Sequence, residues 1–89
     1  MSVIGRKIDM IVCTDVEGNM RPIRFRLETS DGSRVVINVK RSMVKNIRDF
    51  RGHKTIRFIC QSIINNTLVN YEVTYETRTM RWLLYANQL

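Results

Sequence analysis

Three observations predict a small all-β domain, mainly antiparallel: period-two alternation of apolar and polar side chains, β-branched runs separated by turn-forming residues, and a length of 89 residues. The expected architecture is a single domain over 1–89, a barrel or half-barrel of about six strands, OB-like or SH3-like. The chain is too short for two cores or for a (β/α)₈ enzyme. Hydrophobic residues make up 44% and charged residues 26%, close to ordinary globular usage. Four Gly and one Pro exclude a low-complexity or disordered chain.

The elements follow in order. Ile8, Met10 and Val12 alternate with Lys7, Asp9 and Ile11. Asp15-Val16-Glu17-Gly18-Asn19 has turn composition. Ile23, Phe25 and Leu27 then face one way and Arg24, Arg26 and Glu28 the other, the mark of a strand with one wet face. Pro22 stands at the start of that run, where a missing N–H is tolerated. Ser30-Asp31-Gly32-Ser33 is a second turn signal, and Val35, Ile37 and Val39 alternate after it with Arg34, Asn38 and Lys40. A three-stranded meander over 8–40 results.

Residues 41–51 admit two readings. Met43, Ile47 and Phe50 fall at i, i+4 and i+7, so a short helix near 42–50 capped by Ser42 fits. An irregular strand ending at Gly52 fits as well. Arg51-Gly52-His53-Lys54 reads as a turn. Ile56, Phe58 and Cys60 alternate with Arg57, Ile59 and Gln61, and Asn65-Asn66 marks another turn. Val69, Tyr71, Val73 and Tyr75 form a long two-sided strand, Thr77-Arg78-Thr79 a connection, and Met80, Trp82 and Leu84 a last strand with Arg81, Leu83 and Tyr85 opposite.

Several of these segments together resemble a family of small Firmicutes-type bacterial proteins without assigned function. The segments are Asp15-Val16-Glu17-Gly18, Pro22-Ile23-Arg24-Phe25-Arg26-Leu27, Gly52, Phe58-Ile59-Cys60-Gln61-Ser62, Tyr71-Glu72-Val73-Thr74-Tyr75-Glu76 and Trp82-Leu83-Leu84. The resemblance implies a compact cytoplasmic β protein. It brings no activity, cofactor or site. The weight of Arg and Lys between Pro22 and Phe58 departs from it.

No apolar run approaches the ~18 residues of a membrane span, and Met1–Ile8 lacks the apolar stretch of a secretory signal. A cytoplasmic protein with no membrane partner is expected. Cys13 and Cys60 are then expected to be reduced, buried small hydrophobes. Two Cys and the single His53 do not make a metal set. Glu72 and Glu76, four apart on an extended run, stand roughly 13 Å from each other, too far for a carboxylate pair. No serine has a nucleophile-elbow context and no glycine loop suits phosphate. The expectation is a non-enzymatic protein without cofactor, with a ligand site beside His53 as a minor alternative.

Charge carries the functional lead. The formal net charge is +7, with eleven Arg to four Lys. Arg21 to Arg57 holds eleven of the fifteen basic residues and three of the eight acidic ones, net +8 there against −1 elsewhere. Guanidinium groups bind phosphate with two parallel hydrogen bonds, and polyanions reward such a surface through counterion release. The candidate phosphate contacts are Arg24, Arg26, Arg34, Arg41, Lys45, Arg48 and Arg57. Phe25, Phe58, Tyr71, Tyr75 and Trp82 fall on apolar faces and read as core, leaving Tyr85 as the one expected exposed ring. Contact would then run through the nucleic-acid backbone with little base selectivity. A solvated basic surface is the plainer alternative. A third reading is a protein-interaction or homodimerisation module using an exposed strand edge around 67–77.

Overall fold

The computed structural model describes residues 3–87. Seven strands are present: β1 (Val3–Thr14), β2 (Met20–Glu28), β3 (Arg34–Asn38), β4 (Arg41–Phe50), β5 (His53–Ile64), β6 (Thr67–Glu76) and β7 (Arg81–Ala86). They form one antiparallel sheet in the order β3-β2-β1-β7-β6-β5-β4. There is no helix among the described residues, so the helical reading of 42–50 is corrected to a strand. The strand count rises accordingly from six to seven.

The sheet is two meanders, β1–β3 and β4–β7, joined where β1 pairs with β7. Its two edge strands, β3 and β4, are consecutive in the chain and separated only by Val39 and Lys40. They do not pair with each other, so the sheet is not closed into a barrel. It is nevertheless rolled until its ends meet. The Val39 N–H donates to the Ile23 carbonyl on β2 at 2.9 Å, and the next N–H, from Lys40, donates to the Gln61 carbonyl on β5 at 2.7 Å. The chain thus leaves the edge of β2 and takes up the edge of β5 within two residues.

Local sequence explains the turns. Arg51-Gly52 and Asn65-Asn66 are two-residue connections between Phe50 and His53 and between Ile64 and Thr67, with positive φ at all four residues. That is the primed turn geometry whose twist matches antiparallel strands, and Asn and Gly adopt it at least cost. In the β1–β2 loop the Asp15 carboxylate accepts from the N–H groups of Glu17 and Asn19, both at 2.9 Å. The backbone bond from Asn19 leads in holding that carboxyl below its ordinary range. Asp31 does the same work before β3, bound by the Thr29 hydroxyl and the Ser33 N–H, and its pKa falls to about 2.

The inner face of the roll carries the core: Phe25, Leu27, Ile37, Phe58, Cys60, Tyr71, Val73, Trp82, Leu84 and Ala86. Phe25 meets Tyr71 edge-on at 5.5 Å between centroids, and Trp82 packs on Phe58 and Tyr75 at 5.6 and 4.9 Å. Each such ring, fully buried, contributes about 1.5–3 kcal/mol of transfer free energy. One polar group is built into this layer. Buried Ser62 on β5 donates to the Asn38 carbonyl at the end of β3 at 2.7 Å. Its only proton being used there, the Tyr71 hydroxyl donates to Ser62 Oγ at 2.6 Å. The pair ties the two ends of the roll together from inside.

Two sequence expectations change here. The strand at 67–77 is not an edge along its whole length, because β6 is paired on both sides over Glu72–Glu76, by β5 and β7, and by β5 alone over Thr67–Tyr71. An exposed edge there is confined to Thr67–Tyr71; the edge strands of the sheet are β3 and β4. Cys60 is buried as expected, with burial pushing its thiol up to about 12, but Cys13 is exposed at the end of β1, and both are free thiols.

Candidate nucleic-acid interface

Alternation sorts β2 as the sequence requires: Phe25 is 1% exposed and Leu27 is buried, while Arg24, Arg26 and Glu28 face outward. The register sets Arg24 opposite Asn38, Arg26 opposite Val36 and Glu28 opposite Arg34. Arg26 is not free. Its Nε and Nη2 donate to Asp9 on β1 at 3.2 and 2.7 Å.

Lys45 and Arg57 are also engaged. Lys45 is the extra residue of a β-bulge in β4, since Val44 faces Phe58 and Asn46 faces the adjacent Arg57. The bulge aims its ammonium at Glu72 on β6, 2.6 Å away, and Arg57 binds the other carboxylate oxygen at 2.7 Å. The Lys45 hydrogen bond leads in lowering the Glu72 pKa, Arg57 adds to it, and partial burial opposes both. With Arg26, three of the seven expected phosphate contacts are thus turned toward a carboxylate of the protein.

Arg24, Arg34, Arg41 and Arg48 make no salt bridge among the described residues. They do not form one patch. Arg24 and Arg34 lie on the outer face of β2 and β3, whereas Arg48 lies far along β4, opposite Thr55.

Arg41 stands in a different setting. Where the roll fails to close, a groove of about 520 Å³ runs between the start of β2, the Val39–Lys40 link and the start of β4, floored by Ile59 and Gln61 of β5. Arg21, Lys40 and Arg41 line it, and no carboxylate does. The bulge at Ile23, which has no partner between the pairs Val12–Pro22 and Ile11–Arg24, lies on its wall beside Pro22. Sequence reasoning counted Arg21 and Lys40 in the basic segment but did not select them. The available signal was their position, one before Pro22 and the other in the two-residue break between β3 and β4.

The remaining candidates resolve plainly. Tyr85 is half-buried on β7 rather than exposed. The exposed ring is Phe50, at 70% of its surface, beside the β4–β5 turn. His53 is exposed, its Nε2 meets the Arg78 guanidinium, and it lines none of the described hollows. No group of three or more His, Cys, Asp or Glu suited to a metal exists among the described residues. No helix among them is long and apolar enough to cross a membrane.

Fold and site together describe a small rolled antiparallel sheet with a polycationic groove at its seam. Comparison with protein-family models, with curated proteins and with solved structures finds no match to the chain.

Proposed function

We propose that the protein is a non-enzymatic cytoplasmic module, an incomplete barrel in form, that binds nucleic acid through the phosphate backbone at the seam groove. The observation that carries this reading is the convergence of Arg21, Lys40 and Arg41 on one concave surface with no carboxylate in its lining. Three cations held together by backbone constraints, rather than spread by long flexible loops, present fixed donors to successive phosphates. The net charge of +7 adds long-range attraction. Arg24 and Arg48 extend the basic surface. Arg26, Lys45 and Arg57 contribute less, because their charges are already met by Asp9 and Glu72.

The experiment is fluorescence anisotropy with labelled oligonucleotides over a salt series. Each neutralised phosphate contributes a slope of about −0.7 to −0.9 in log K against log salt. Combined Arg21→Ala, Lys40→Ala and Arg41→Ala should flatten that slope by about two, three phosphates being lost at most. No binding at low salt, or an unchanged slope in the triple variant, removes the reading. A competing reading pairs β4 with β4 of a second copy, favoured by the exposed Met43, Val44 and Ile47 on that edge. Light scattering over a concentration series that returns only the monomer mass dismisses it.

A further inference from the structure

We infer that the bound nucleic acid is single-stranded and lies along the free edge of β4, with one base stacked on Phe50. This rests on the nucleic-acid reading above and assigns its substrate class.

Phe50 is the one aromatic side chain classed as exposed among the described residues, at 70% of its surface. Every other Phe, Tyr and Trp ring is buried or half-buried. The hairpin tip has no core for the ring to fill, and the one group recorded over it is the Arg51 guanidinium. The surroundings are cationic. The Arg51 guanidinium sits 5.4 Å from the ring centroid. Arg48 precedes Phe50 by two residues on the same face, and His53, contacted by Arg78, stands directly across the ladder. The carboxylates near this tip are Asp49, opposite Lys54 in register, and Glu76, which accepts from Thr79.

An exposed ring flanked by guanidinium groups is what an unpaired base stacks on. In a duplex that face is already covered by the neighbouring base pair, so the ring discriminates single strand from double. The seam groove and the tip are connected by β4 itself. Arg41 and Phe50 are nine residues apart on an extended strand, about 30 Å. Exposed Met43 and the cation of Arg48 lie between them on the same face. A chain entering at Arg21, Lys40 and Arg41 would meet Arg48 and then the ring, within the span of about 4–16 nucleotides that small β folds occupy on a single strand.

The test compares an oligothymidylate of about 20 nucleotides with a blunt duplex of the same length, by anisotropy, in the wild type, Phe50→Ala, Phe50→Trp and the Arg21/Lys40/Arg41 triple variant. Phe50 is solvent-exposed, so thermal melting should show the single variants folded. The wild type should prefer the single strand. Phe50→Ala should weaken the oligothymidylate by about five- to a hundredfold and leave the duplex unchanged, and Phe50→Trp should retain single-strand affinity. The triple variant should lose both ligands. If Phe50→Ala binds the oligothymidylate as the wild type does, or weakens both probes equally, the stacking role is overturned while the groove stands. A wild type that prefers the duplex likewise overturns the single-strand assignment alone. A wild type that binds neither probe overturns the groove reading and this one together.

Discussion

Ser62 and Tyr71 are the residues on which the seam depends from within. Replacing Ser62 by Ala leaves the Tyr71 hydroxyl and the Asn38 carbonyl without their partner in a water-poor layer. The expected cost is about 1–3 kcal/mol, read as a lower urea midpoint with an unchanged m-value. The same layer sets an alkaline limit. Burial raises Tyr71 from 10.0 to about 12 and Cys60 from 9.0 to about 12. Both groups are neutral in the fold, whereas the unfolded chain releases their protons from about pH 9 upward. The unfolded state then binds fewer protons, so stability falls as pH rises. The contribution is whole below pH 9 and lost progressively toward 12. Urea midpoints between pH 8 and 11 should fall for the wild type and fall less for Cys60→Ala. Equal slopes for both would exclude Cys60 as a source.

Connections decide which strands can pair, and the β5–β6 turn shows how. Asn65 and Asn66 have φ of +51° and +61°, a region that costs a β-branched residue about 1–2 kcal/mol. Asn66→Val should therefore lower stability by that amount, whereas Asn66→Gly should be neutral or slightly stabilising, both checked by thermal melting. Such turns were legible in the sequence because Asn-Asn and Gly bear a direct conformational signature. So were the inner faces of β2, β5, β6 and β7, where strict alternation places Phe25, Phe58, Tyr71 and Trp82 inside. β4 was not legible. Its bulge at Lys45 inserts one residue and flips the faces, so Val44 and Ile47 share the inner side across a gap of three. Apolar residues at Met43, Ile47 and Phe50 then imitate helical spacing, although no helical face exists. Strand order was equally hidden. Nothing in one chain's periodicity says that β6 is flanked by β5 and β7, and an alternating Tyr and Val run looks the same at an edge as inside.

Across the whole molecule, charge is shared by parts of the chain far apart in sequence, which is why the site was only partly readable. Composition located the basic segment, and alternation sent Arg24 and Arg26 outward, but Arg21 meets the Lys40-Arg41 pair only because the sheet rolls. Nor does sequence reveal that Glu72, from the acidic remainder of the chain, takes up Lys45 and Arg57, 27 and 15 residues away. That carboxylate lets the two consequences of charge be separated. Glu72→Gln raises the net charge from +7 by one and releases two cations. Loss of a half-buried ion pair should cost about 1–2 kcal/mol at neutral pH. The folded-state pKa of Glu72 lies below 4.5, so its stabilisation is present above pH 4.5 and lost as pH falls through the folded value. Wild type and Glu72→Gln should therefore converge in urea midpoint toward acid. Binding should move the other way. With Lys45 and Arg57 free to meet phosphate, the variant should bind oligonucleotide more tightly at low salt, with a log K–log salt slope steeper by about one to two. A less stable protein that binds better cannot be explained by general loosening, because unfolding would weaken binding. An unchanged slope would mean that the faces bearing Lys45 and Arg57 lie outside the interface, confining it to the groove and the β4 edge.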